Sequence, residues 1–224
     1  MPRLFFARLR SSEETSMILD LMQSRRSVRK FLPKVPARAV LEKLIEAAIT
    51  APSASNKQPW RFLVVTNSTV KARMAEAVSR AVQRVASCIE PQFEAAFRNY
   101  GDYFTRFESA PVVIVPLYRP LTLLSSMVGA DLSEKDRRNI SCMEERSGIV
   151  SASLAVENLL LMAHDLGLGA SGLTGPLIAQ DELCGILKVP AGWDIVALVA
   201  TGYADEQPTA PARKAVADVT RWIV

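Results

Sequence analysis

The segment Ala51-Pro52-Ser53-Ala54-Ser55-Asn56-Lys57-Gln58-Pro59-Trp60 and the apolar run Phe62-Leu63-Val64-Val65 that follows it set a polar loop at the entrance to a buried strand. Proline at both ends holds the loop, and Asn67 stops the strand. Upstream, Ala39, Val40, Leu41, Leu44, Ile45, Ala48 and Ile49 recur at helical spacing, and the helix they predict ends before Pro52. An earlier short helix is expected at residues 17–24, with Pro33 and Pro36 breaking the chain between the two. Downstream, residues 70–108 read as helical, and Phe93, Phe97, Tyr100, Phe104 and Phe107 step by four, three, four and three along one face despite Gly101. Residues 111–116 form a second buried strand, and residues 119–136 read as loop with a short helix. Residues 151–166 are a helix apolar nearly all round, as a helix buried on several sides should be, and Gly167 is its stop. Two late strands fall near residues 169–173 and 195–201, with the tail from Ala204 outside this core. Two strands early, two late and long helices between them give an α+β layer architecture.

A chain of 224 residues suits one large domain, or one domain with appendages, and buries a sizeable core without staples. Hydrophobic residues at 49% and charged residues at 22% exclude disordered and fibrous classes. No run approaches eighteen uninterrupted apolar residues, so no membrane-spanning helix is expected. Cys88, Cys142 and Cys184 are odd in number and form no C-x-x-C pair, and they read as small buried residues of a reducing compartment. The single His164 cannot build a multi-histidine metal site and reads as a hydrogen-bonded core histidine; no metal site is expected. Arginines interrupt the apolar start of residues 1–10, so residues 1–16 read as a loose arm of a cytoplasmic protein rather than a secretion signal, with a very short, Arg-rich and acid-free transit peptide as the alternative.

Charge narrows the partners. The formal net charge is +4, yet residues 1–43 alone carry +6 and the remainder −2. A positive N-terminal region suits nucleic acid, an anionic membrane surface or a phosphorylated small molecule. Within it, Arg25, Ser27 and Arg29 alternate, so in an extended segment they point the same way. Guanidinium forks and a hydroxyl match the acceptor oxygens of a phosphate monoester, though a solvated basic turn has the same composition. Asn56 and Gln58 can each donate and accept, which suits a ring edge bearing both carbonyl and N–H groups as well as an ordinary polar loop. Gly167-Leu168-Gly169-Ala170-Ser171-Gly172 satisfies the dinucleotide-binding G-x-G-x-x-G pattern, but a helix precedes it where that turn requires a strand. No P-loop sequence is present.

Taken in order, Arg25-Arg26-Ser27-Val28-Arg29-Lys30-Phe31, the loop from Ala51 to Trp60, Ala155-Val156-Glu157-Asn158 running into Leu166-Gly167-Leu168-Gly169, and Thr201-Gly202-Tyr203 with Arg213 beyond it resemble the nitroreductase family of flavoproteins. The resemblance implies a single FMN-binding domain over residues 17–224, with a small, mostly antiparallel sheet surrounded by helices. It implies a homodimer with two cofactors at the subunit interface and a C-terminal tail that crosses to extend the partner's sheet. Arg25, Ser27 and Arg29 match the family's phosphate and ribityl contacts, with Arg26 beside them. Pro52, Ser53, Ala54, Asn56 and Gln58 match the loop that touches the ring and ribityl chain, part of it reaching the partner's flavin. Thr174 and Gly175 match the turn whose backbone N–H faces flavin N5, and Arg213 matches a second phosphate contact. The lysine that some relatives place near the ring after the first strand has no counterpart here, and Lys71 does not align with it.

The implied activity is a ping-pong transfer: NADH or NADPH gives a hydride to flavin N5, leaves, and an electron-poor small molecule of nitroaromatic, quinone or enone type takes its place. No side-chain acid or base is assigned. Tyr103, Phe104 and Phe107 are the substrate-contact candidates, as a lid over the flavin, against core or dimer packing for the same aromatic stripe. A reductive dehalogenase or flavin-fragmenting relative would use the same fold and cofactor. A basic nucleic-acid-binding module is the reading from outside the enzyme class, and it predicts a colourless protein with salt-dependent affinity. Neither nucleic acid nor membrane is expected as a partner.

Overall fold

The sheet is built around one strand. In the computed structural model, which describes residues 17–224, β2 (Val112–Tyr118) is buried at every position. It pairs antiparallel with β1 (Trp60–Val65) on one side and with β4 (Asp194–Ile195) and β5 (Leu198–Gly202) on the other. β5 then pairs antiparallel with β3 (Gly169–Leu173), giving the order β1-β2-β5-β3 with β4 beside β2. The N-terminal arm, with Arg3, Arg8 and Arg10, lies outside the described residues.

Period-two alternation along β2 divides the core into two layers. Val112, Ile114 and Tyr118 face a cluster with Leu41, Leu44 and Ala48 of α2 (Arg38–Ile49) and Ala152, Ala155 and Leu159 of α5 (Glu134–Asp165). Val113, Val115 and Leu117 face the opposite cluster, with Met74 and Val78 of α3 (Ser68–Ala86), Leu183 of α6 (Gln180–Leu187), Phe104 and Phe107. Pro116 sits inside this central strand without an N–H to give. The pairing Ile114↔Val199 shifts by one residue to Leu117↔Ile195, and Val196 N–H donates to the Pro116 carbonyl at 2.9 Å. The extra residue is a bulge at the position where proline breaks the ladder.

The α+β reading holds, but the first strand, expected to be buried, is an edge strand with Val64 exposed, the single strand expected at 195–201 is β4 and β5 on either side of the bulge, and several helices differ from expectation. The stretch 70–108 is not one helix: α3 ends at Ala86, α4 spans Pro91–Gly101, and a 3₁₀ turn covers Arg106–Ser109. Pro91 opens α4 because it has no N–H with which to continue the preceding helix. The aromatic stripe is thereby dispersed: Phe93 and Tyr100 are exposed, while Phe104 and Phe107 are buried. The helix expected at 151–166 begins seventeen residues earlier, where Ser133 caps it by accepting from Asp136 N–H at 3.1 Å. At 32 residues, roughly 48 Å, α5 is long and apolar enough to cross a bilayer, but here it packs between α2 and the sheet. Gly148 lies at its crossing with the loop after β2, where a Cβ would overlap the Arg119 carbonyl. Cys88 and Cys142 are exposed rather than buried, the first following the end of α3 and the second on the polar half of α5; Cys184 is half-buried.

Three apolar surfaces stay uncovered in the described chain. The helix α1 (Met17–Ser24) buries no residue, although Met17, Ile18, Leu19 and Met22 are apolar. On α5, Met143, Val150 and Leu154 face outward, so that helix is not buried on every side. The tail, including the short α7 (Val216–Val219), exposes Val216, Val219, Trp222 and Ile223.

Candidate functional site

The basic strip after α1 runs in extended form along the sheet. Ser27 bridges Ala170 of β3 in parallel, Val28 N–H donates to the Ala170 carbonyl at 3.1 Å, and Leu32 N–H donates to the Tyr203 carbonyl at 2.9 Å. Val28 is buried against Gly169, which turns Ser27 and Arg29 to the other side of the strip. The Glu206 carboxylate accepts from both Arg29 N–H and Lys30 N–H, at 2.5 and 3.1 Å, and fixes the far end. Sequence alone gives no sign of Glu206 in this role.

The strip's cations do different things. Arg26 folds back on α1, donating to the Gln23 and Arg25 carbonyls at 2.6 and 2.9 Å, so its guanidinium serves the helix end. Arg29 donates to the Ser27 carbonyl at 3.3 Å. The Arg25 side chain is mostly buried and lies 3.8 Å from Glu157 of α5, yet its Nε has no hydrogen-bond partner. The Ser171 hydroxyl on β3 is buried and unpartnered as well. An unsatisfied buried donor costs about 1–3 kcal/mol, more for a charged group, so these atoms mark a place for a polar ligand. Glu157 lies in the apolar helical run of residues 151–166, but nothing in the sequence pairs it with Arg25.

Four residues beyond Ala170, about 13 Å along the strand, β3 ends at Thr174 and Gly175. Gly172 between them is open, since a Cβ there would meet no atom within 4 Å. Gly175 is closed on one side by the Phe104 ring, which an added Cβ would overlap. Phe104 therefore backs the turn, and Phe107 is fully buried in the α3 layer with no surface left for a substrate. Tyr103 is 46% exposed, with the Arg106 guanidinium 3.7 Å from its ring centre. Arg213 lies in the exposed tail without a hydrogen bond or ion pair among the described residues.

The loop before β1 is tightly shaped. Ser53 Oγ accepts from Gln58 N–H at 3.0 Å, and the Gln58 side-chain amide donates to Asn56 Oδ1 at 3.3 Å. Ser55, Asn56 and Gln58 all have left-handed backbone, at φ of 50°, 50° and 47°. Each such residue costs on the order of 1–3 kcal/mol, and strain of this kind clusters where a ligand is held. Ala54 N–H donates to Ser151 Oγ of α5 at 3.3 Å. A cavity of about 470 Å³ lies between Pro52, Ser53 and Ala54 and the outward face of α5 at Met143, Arg146, Val150 and Leu154.

Within one chain, then, the strip and the end of β3 come together, whereas the loop leans on α5 and makes no hydrogen bond to the strip. Lys71 is committed elsewhere: its Nζ donates to the Ala110 carbonyl, and burial lowers its pKa. His164 is half-buried, not in the core, and its Nε2 is 2.9 Å from Ser24 Oγ.

A family model described as the Nitroreductase family matches residues 22–203. A putative NAD(P)H nitroreductase from Bacillus subtilis is 24% identical over 91% of this chain and 92% of its own length. Among solved structures, a BluB-like flavoprotein from Clostridium difficile aligns with a TM-score of 0.81 at 23% identity, covering 94% of this chain and all of the other. An iodotyrosine deiodinase bound to FMN and 3-iodo-L-tyrosine aligns at a TM-score of 0.69 and 22% identity, over 93% and 100% of the two chains.

Proposed function

The chain belongs to the nitroreductase family, and on that premise we propose that it is an FMN-dependent oxidoreductase carrying a hydride from NADH or NADPH to an electron-poor small molecule. The observation that carries this reading is the pairing of the basic strip with β3. It puts the unpartnered Arg25 Nε, the Ser27 hydroxyl and Arg29 at one end of an open strand and the Thr174 and Gly175 backbone at the other. A phosphate dianion suits the first end by charge and hydrogen bonding, and a ring suits the second by its exposed main chain. Bound there, FMN supplies the hydride chemistry, so the protein's task is to hold, orient and shield.

Arg25, Ser27 and Arg29 hold the phosphate and ribityl chain, and Arg26 shapes the segment that presents them. The Thr174 and Gly175 main chain faces the reacting edge of the ring, with Phe104 fixing its height. Pro52, Ser53, Ala54, Asn56 and Gln58 form a rigid polar rim. Because that rim leans toward the outward face of α5, it serves a second copy's cofactor as well as its own. Tyr103 is the one aromatic of the three candidates free to touch a substrate, while Phe104 and Phe107 act through packing.

The assembly is a homodimer. The uncovered apolar residues of α1, α5 and the tail are too extensive for a lone soluble chain and suit a two-fold interface. The tail crosses to the partner's sheet, and this brings Arg213 to a phosphate.

The visible spectrum of purified protein tests the reading. Flavin absorbance, or uptake of added FMN, is expected; a colourless protein that takes up none would refute it. Anaerobic stopped-flow with NADH and NADPH, followed by nitroaromatics, quinones, enones and halophenols, then identifies the donor and separates nitro reduction from reductive dehalogenation.

A further inference from the structure

The loop that carries Asn56 and Gln58 has a second side. Between them Lys57 borders a cavity of about 220 Å³, whose other walls are Arg119, Pro120, Leu121, Thr122 and Leu123. Two cations line it and no acid does. Among the described residues neither cation has an ion pair.

The walls are fixed rather than incidental. Arg119 N–H donates to the Pro59 carbonyl at 3.2 Å, and the Arg119 carbonyl packs directly on Gly148 of α5. The Arg119 guanidinium lies 5.4 Å from the Trp193 ring centre, and that of Arg61 lies 4.4 Å from it, so one indole holds two guanidinium groups. Leu121 N–H donates to the Glu144 carbonyl at 3.3 Å. The Glu144 side chain is 4% exposed and accepts from Leu123, Leu124 and Ser125 N–H at 2.6, 2.6 and 3.2 Å. This acid is thereby engaged by the backbone behind the cavity wall and leaves the two cations without a counter-charge inside.

We propose that this cavity is an anion subsite that anchors the phosphate or carboxylate of the reactant lying over the ring, with Lys57 and Arg119 as its charged contacts and the Thr122 hydroxyl beside them. The inference rests on the FMN reading, because the rim residues on either side of Lys57 are what place the cavity next to the ring. The volume admits one such group with some of its water, a water molecule occupying about 30 Å³. Hydride transfer demands a reactant held in one orientation, and a charged tether at a fixed distance from the ring provides it. The anion's source is the donor, NADPH having a phosphate that NADH lacks, or an acidic acceptor.

The test compares wild type, Lys57→Gln, Arg119→Gln and, as a control on Trp193 outside the cavity lining, Arg61→Gln. Holoenzyme kcat/KM is measured for NADPH against NADH and for 4-nitrobenzoate against 4-nitrobenzyl alcohol. Calorimetry follows binding of NADP⁺, NAD⁺ and 4-nitrobenzoate to the protein as purified. In one of the two pairs, kcat/KM for the member bearing the additional phosphate or carboxylate should fall about tenfold through KM in the two cavity variants, with less than twofold change for the member lacking that group and none in the control. A change in the donor pair identifies a phosphate, and a change in the acceptor pair identifies a carboxylate. Ratios unmoved in both pairs would overturn the subsite, as would loss of bound FMN in either cavity variant. A colourless wild type would refute the flavin reading alone, and calorimetry would still judge the cavity: anion binding weakened by Lys57→Gln supports it, and unchanged or absent binding overturns it.

Discussion

Phe104 and Gly175 form a contact whose energy can be measured from both sides. The Phe104 ring is almost fully buried, meets Tyr100 edge-on at a centroid distance of 4.9 Å, and fills the space an added Cβ at Gly175 would need. Phe104→Ala removes a core aromatic and should cost about 3–5 kcal/mol. Gly175→Ala forces a methyl group against the ring and should cost about 1–3 kcal/mol. In the double variant the methyl enters space the ring has left, so its cost should fall short of the sum of the two single penalties by at least about 1 kcal/mol. Urea unfolding at a single protein concentration gives the four stabilities, a fixed concentration being needed because the stability of the proposed dimer depends on it. Additivity within about 0.5 kcal/mol would refute the contact. In FMN-loaded protein, the less damaging Phe104→Leu should also shift the flavin reduction potential; an unchanged potential would limit Phe104 to packing.

Arg25→Gln should weaken FMN binding by roughly ten- to a hundredfold, the size of one charge-assisted contact, with the circular dichroism unchanged; retention of full flavin absorbance after gel filtration would count against the phosphate assignment. Burial pushes the Glu144 carboxyl up, but hydrogen bonds from Ser125 and from Leu123 and Leu124 N–H outweigh it and hold its pKa below the ordinary 4.5. Such a group adds stability above its unfolded pKa and loses it as pH falls through the lower folded value. The stability gap between wild type and Glu144→Gln at pH 7 should therefore narrow as pH drops below about 4.5, and a gap constant across that range in urea titrations would contradict the role given to the carboxylate. Trp222 is 82% exposed, and if the proposed dimer buries it, Trp222→Ala should shift the protein toward monomer in sedimentation equilibrium by at least tenfold in affinity; an unchanged equilibrium would count against a tail-mediated dimer.

The legible parts of this protein are those whose cause is local. The loop at 51–60, the strands read at 62–65 and 169–173 and the inverted glycine motif each follow from neighbours in sequence, through proline, apolar runs and the order of helix and strand. The break at Pro91 was present in the sequence and was overridden by an aromatic periodicity that happened to continue across it. The first half of α5 was missed because residues 134–147 are mostly polar, and their helix is fixed by a cap and by the loop lying on Glu144. In the site, the basic, extended strip of Arg25, Ser27 and Arg29 was readable from its composition and alternation. Their anchors Glu157 and Glu206 were not, because pairing across the fold leaves no trace near either partner. The left-handed backbone at Ser55, Asn56 and Gln58 was likewise hidden, since only asparagine among them advertises it.

The long helix α5 touches four separate segments in succession: the loop after β2 at Glu144, the rim at Ser151, the basic strip at Glu157 and α1 at His164. One extra residue inserted between two of these stations would turn everything beyond it by about 100° and advance it about 1.5 Å. Substitutions along α5 are therefore graded in their effects, whereas insertions and deletions between residues 144 and 164 throw whole segments out of alignment together. In an evolving or engineered version of this protein, length can vary in the loops and the tail, but the number of residues between these stations is a quantity selection has to keep.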